Sequence, residues 1–125
     1  MSLLLYTTAS EGVVERIRTA LELSVPDGAM EVYQTINDLS RRLRQPKDEL
    51  TIGVLLLASR EDVLDVLNIR HLFHDVRIIL VVPDLDDEII ALAHRLRPRY
   101  LTYMDGSFPA IAMVVDKMWK ANAQP

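Results

Sequence analysis

Apolar positions in this chain follow two periods, and each switch between them predicts a change of element. Leu3 to Tyr6 is a short unbroken apolar run, the form a strand takes when both of its faces are covered. Val13, Val14, Ile17, Leu21 and Ser24 then mark one face of a helix, with Ser10 placed to cap it. Pro26-Asp27-Gly28 predicts the turn that ends it. Glu31 to Ile36 alternates, Val32, Gln34 and Ile36 against Glu31, Tyr33 and Thr35, as expected of a strand nearer an edge. Asn37 or Asp38 is placed to cap a short helix with Leu39 and Leu43 inward, stopped by Pro46. Thr51 to Leu57 reads as the most buried strand. Ser59 and Asp62 then resemble a capping box, with aspartate for the usual glutamate or glutamine. The helix they open carries Val63, Leu64, Val66, Leu67 and Ile69 and runs to about His71.

The second half is better punctuated. Val76 to Val82 is an apolar strand that stops at Pro83-Asp84, and Asp84 is read as the cap of a helix from Leu85 to Leu96. Tyr100 to Tyr103 is a last strand leading into Asp105-Gly106. Ser107 is placed to cap the final helix, with Pro109 in its first turn, where a missing N–H does no harm. Ile111, Ala112, Val114, Val115, Met118 and Trp119 give that helix a broad apolar face.

Strands covered on both faces and alternating with helices predict one α/β domain over residues 1–125, a three-layer αβα sandwich. Right-handed crossovers and the short chain fit a five-stranded parallel sheet in the flavodoxin-like order 2-1-3-4-5. Ligands in such sheets collect at the carboxyl ends of the strands, beside the switch between strands 1 and 3. The segments to inspect are therefore Thr7 to Ser10, Ala58 to Arg60, Val82 to Asp84 and Tyr103 to Ser107.

Composition narrows the chemistry. The 125 residues contain no cysteine, which excludes disulfides, zinc-thiolate sites and thiol catalysis. A net charge of −4 gives no global pull towards nucleic acid, although local basic patches are compatible with it. Met1 to Tyr6 is too short and lacks the basic start of a signal peptide, and no apolar run approaches the roughly 20 residues that span a bilayer. The expectation is a cytoplasmic protein with no membrane segment.

Val76 to Pro83 followed by Asp86-Asp87-Glu88, and Tyr100-Leu101-Thr102-Tyr103 after it, resemble the fourth and fifth strands of the receiver domain of bacterial two-component response regulators. The resemblance covers essentially the whole chain. Receivers transfer a phosphoryl group to an aspartate after strand 3, with acidic groups after strand 1 holding Mg²⁺ and a hydroxyl and a lysine neutralising charge. In this chain the matching positions hold Thr7 and Thr8, then Leu57-Ala58-Ser59, then Val82 or Pro83, and Tyr103 where the lysine stands. The resemblance thus implies a pseudo-receiver that is not an enzyme, takes no cofactor and works by protein contact in bacterial signalling. Its implied surface is helix 4–strand 5–helix 5, meeting another signalling protein or a second copy of the chain. Tyr100 stands where receivers often hold a switch aromatic; a half-buried strand tyrosine is its plainer reading. Asp86, Asp87, Glu88, Arg95, Arg99, Asp116, Lys117 and Lys120 carry mixed charges suited to pairing across a twofold axis.

The competing expectation is a flavodoxin-like binder of FMN or another phosphate ligand. It would use Thr7, Thr8 and Ser10 in the hydroxyl-rich loop to Gly12, although Glu11 repels phosphate. His71 and His74 are read as a helix-end pair rather than metal ligands, and His94 likewise beside Arg95 and Arg97. Arg41, Arg42 and Arg44, and then Arg95, Arg97 and Arg99, cluster at helix C-terminal ends, where cations are favoured without any nucleic acid. No serine has the flanking glycines of a nucleophile elbow.

Overall fold

The computed structural model describes residues 2–26, 28–47, 49–104 and 108–123. Five parallel strands form one sheet in the order 2-1-3-4-5: β1 Ser2–Thr7, β2 Met30–Tyr33, β3 Thr51–Leu56, β4 Val76–Val82 and β5 Tyr100–Tyr103. The connecting helices are α1 Glu11–Glu22, α2 Ile36–Leu43, α3 Arg60–Asn68, α4 Asp87–His94 and α5 Phe108–Ala123, with a 3₁₀ turn at Arg70–Phe73 after α3. This is the flavodoxin-like sandwich expected from the pattern.

Alternation along each strand divides the core in two. Leu3, Leu5, Ile52, Val54, Leu56, Ile79 and Val81 pack against Ile17 and Leu21 of α1 and Ile111 and Val115 of α5. Leu4, Tyr6, Leu55, Leu57, Ile78, Leu80 and Val82 face the other way, against Leu39 and Leu43 of α2, Val63 and Val66 of α3, and Ile89 and Ala93 of α4. β1 and β3 are buried along their whole length, whereas the edge strands β2 and β5 are half-buried.

The local punctuation differs from the expectation at several points. β2 ends at Tyr33, and Thr35, not Asn37 or Asp38, caps α2 by accepting from the Asp38 N–H at 3.1 Å. Thr35 is the better cap because it keeps extended backbone while Asp38 falls in the first turn. Ser10 does hold the N-cap position of α1, but its carbonyl, not its hydroxyl, receives the Val13 and Val14 N–H groups. α3 ends at Asn68 rather than near His71. α4 starts at Asp87, capped by Asp86 onto the Glu88 N–H at 2.9 Å. Asp84 instead folds the preceding loop, accepting from the Asp86 N–H at 2.8 Å. Asp27, Asp105-Gly106 and the Ser107 cap lie outside the described residues.

Gly53 shows how tightly the middle of the sheet is drawn. It lies on β3 between Leu4 and Ile78, and a Cβ built there would come 3.1 Å from Val76 Cγ1. Val76 is β-branched and stiff about χ1, so it has little room to yield. Gly53→Val is therefore expected to overpack the α2–α3–α4 side and cost about 1–3 kcal/mol in urea unfolding, while a conservative Val54→Ile change on the opposite face costs less.

Candidate functional site

The carboxyl edge of the sheet collects Thr7 and Thr8 after β1, Leu57 to Ser59 after β3, Val82 and Pro83 after β4, and Tyr103 and Met104 at β5. The described residues of the four segments singled out from the sequence lie along this edge. Their functional groups turn largely inward or onto each other.

Thr7 is fully buried, and its hydroxyl accepts from the Ala9 N–H at 3.0 Å, closing the β1–α1 loop on itself. Thr8 is exposed and donates to Asp62 Oδ2 at 2.5 Å. The same carboxylate oxygen accepts from the Ala58 N–H at 3.1 Å, and the Asp62 N–H is held by Ser59 Oγ at 3.3 Å. Ser59 and Asp62 thus form half of the expected capping box. The aspartate reaches past the cap residue, pinning the loop after β3 to the loop after β1 across the switch point. Its shorter side chain, compared with glutamate, fits that reach. The pattern S-x-x-D announced the cap but not the bridge, because Thr8 lies 54 residues away.

The remaining predicted positions sort clearly. Leu57 and Val82 are buried in the core below Asp62. Tyr103 is 40% exposed at the open end of β5, opposite Val82. Tyr100 is half-buried at the other end of the same strand, packed with the α1–α5 side of the core. Ser10 stands exposed at the start of α1. The cavity nearest this loop, about 480 Å³, lies between α1 and α2 and is lined by Glu11, Glu15 and Asp38. Its cation, Arg18, is turned to Glu15 and Glu22 at 3.9 and 3.5 Å. Three carboxylates are a poor wall for a phosphate.

On the α4–β5–α5 side the charges divide in two. Glu88 pairs with Arg60 of α3, and Lys120 pairs with Asp116 at 2.9 Å within α5. Asp87, Arg95, Arg99 and Lys117 have no ion-pair partner among the described residues. Asp87 opens α4 at the carboxyl edge of the sheet. Arg95 closes it at the amino edge, where Arg99 donates its backbone N–H to the Ile78 carbonyl at 2.8 Å. His71 and His74 also sit at that amino edge, exposed, with His74 3.9 Å from Asp75. Among the described residues no cluster of three or more metal-binding side chains occurs, and no helix is long and apolar enough to cross a membrane.

No protein-family model and no curated protein matches the chain.

Two tyrosines carry the electrostatic signature of this arrangement. Burial pushes the Tyr6 hydroxyl up to about 12, and the Asp62 and Asp65 carboxylates push the same way. Tyr33 is likewise raised to about 12, by burial and by its 2.6 Å hydrogen bond to Glu31, a carboxylate that Arg42 also holds at 2.9 Å. Both lie above the ordinary value of 10.0, so the folded protein keeps protons that the unfolded chain would release. Their contribution is complete below about pH 10 and is lost as the pH climbs towards about 12, with Tyr6 accounting for roughly 2 kcal/mol. Absorbance titration of the phenolates should show two of them ionising late and together with unfolding. Asp62→Ala should cost about 1–3 kcal/mol and speed exchange of the Ala58 amide, whereas Asp62→Asn, which keeps an acceptor oxygen, should cost less.

Proposed function

We propose that this chain is a receiver-like module that does not transfer phosphoryl groups and acts by docking through α4, β5 and α5, either to a second copy of itself or to another signalling protein. The observation that carries the reading is the arrangement of uncommitted groups on that side. Asp87 stands at one end of α4, and Arg95 and Arg99 at the other, each without an ion-pair partner among the described residues. Two copies related by a twofold axis across the helix run antiparallel there, which sets the acidic end of each against the basic end of the other. Leu85, 51% exposed, and Tyr103 add the apolar area such a contact needs near the acidic end.

The carboxyl edge supports a module without catalysis. A phosphate ligand there would want the Thr8 hydroxyl and the Ala58 N–H, and both are already bonded to Asp62. Asp62 itself, the carboxylate at the switch point, is occupied by those two donors instead of facing an open crevice. The FMN reading would have to break this bridge before a ligand entered.

Sedimentation equilibrium of the wild type and of Arg95→Glu/Arg99→Glu tests the docking surface. The wild type is expected to self-associate in the micromolar range and the variant to do so at least tenfold more weakly, with Asp86→Lys/Asp87→Lys restoring association when combined with it. A wild type that stays monomeric at millimolar concentration would eliminate self-docking. Failure of the combined variant to recover would remove the antiparallel register.

A further inference from the structure

The amino edge of the sheet has a concave surface that shares Arg95 and Arg99 with the docking reading and extends well beyond them. A cleft of about 1070 Å³ opens where the α2–β3 connection passes the starts of β4 and β5, and Arg44, Lys47, Arg77 and Arg99 all line it. A second cavity of about 420 Å³ adjoins it, sharing His74 and Val76 and bringing in Arg70, Arg95 and Arg97. Seven full cations from four separate segments of a chain of net charge −4 therefore border a trough made of two cavities that share His74 and Val76 as a wall.

Helix ends explain only part of this. Arg44 and Arg95 are the C-cap residues of α2 and α4, where the negative end of the helix dipole favours a cation. Arg77 is the second residue of a β-strand, Lys47 lies in a loop, and Arg99 immediately precedes β5. Helix dipoles do not account for these three. Nor do carboxylates hold them in place. Glu49 and Asp75 share the cleft wall, yet among the described residues neither comes within 4.0 Å of Arg44, Lys47, Arg77 or Arg99. Arg42, by contrast, is bound to Glu31. Like charges gathered in excess and left out of ion pairs raise the potential of a concave surface, and an anion relieves it.

We infer that this trough binds a small ligand carrying several phosphoryl groups in a row, such as a nucleoside polyphosphate or a free polyphosphate chain. Arginine forks suit phosphate oxygens in pairs, and the cations here are spread along a groove. The main cleft matches a ligand of tens of atoms, since pockets for such molecules measure about 300–1,000 Å³. Leu72, half-buried on the same wall, supplies apolar surface on which the non-phosphate part of a nucleotide can rest.

Titration of the isotopically labelled full chain with sodium tripolyphosphate, followed by amide shifts at low salt, tests this directly. Saturable shifts are expected at residues 44–49, 70–77 and 95–99, weakening at least tenfold in Arg44→Glu/Lys47→Glu and again when salt is raised from about 20 to 200 mM. Arg77→Gln, which leaves both loops intact, should weaken binding as well, and Asp87→Lys on the docking surface should leave it unchanged. ATP binding tighter than tripolyphosphate would assign the site to a nucleotide, and equal binding to the phosphate chain alone. Shifts scattered over the surface, unaltered binding by Arg44→Glu/Lys47→Glu, or binding of duplex DNA without binding of tripolyphosphate would overturn the assignment.

Discussion

Everything in this protein depends on covering both faces of β1, β3 and β4. Those strands carry apolar side chains on alternate faces, and neither face can be left to water. A parallel sheet meets this demand only if each connection crosses over as a helix, and each such helix must run opposite to the strands. All five helices therefore begin at the carboxyl edge and end at the amino edge. The helix ends then dictate which charges are comfortable where. Carboxylates gather in first turns, as with Asp38, Glu61, Asp62, Asp87 and Glu88, while arginines gather at last turns and C-caps. Part of the separation of charge between the two edges is thus a product of the core.

The core was plain in the sequence because burial on two faces leaves an unmistakable run, as in Val76 to Val82, and burial on one helical face leaves a 3.6-residue period, as in Val14, Ile17 and Leu21. Boundaries were less plain where several capping residues compete. Thr35, Asn37 and Asp38 can all cap a helix, and the choice was made by backbone that stays extended through Thr35. Asp84 and Asp86 competed in the same way, and both accept a backbone N–H two residues on, one shaping the loop and one the helix start. The Asp62 bridge and the basic trough were hidden for a different reason. Each joins residues tens of positions apart, and neither periodicity nor spacing encodes that meeting. Arg44 and Arg95 looked like two unrelated helix ends until the sheet brought them to one edge.

At the switch point the chain invests its polar groups in structure. In many open α/β sheets the loops after strands 1 and 3 stay apart, and a ligand fills the crevice. Here a single aspartate joins them, with one oxygen shared between the hydroxyl of Thr8 and the N–H of Ala58. That closure ties the two loops together at the edge where ligands of such sheets usually bind. Tyr6 lies fully buried on the same strand, and the Asp62 and Asp65 carboxylates add to the burial that holds its proton.

The division of charge between the edges has a consequence at longer range. β4 has seven residues, so the two edges are separated by about 23 Å at about 3.3 Å per residue. The Debye length at physiological salt is about 8 Å. A charged body approaching either edge is therefore screened from the other, and the overall −4 describes neither. The molecule behaves as two electrostatic objects on one rigid rod. The charges at its helix ends give it a dipole along its strands, and near a charged surface that dipole experiences a torque. A polyanion would be drawn to the amino edge and a polycation to the carboxyl edge, so that orientation is set before any contact forms.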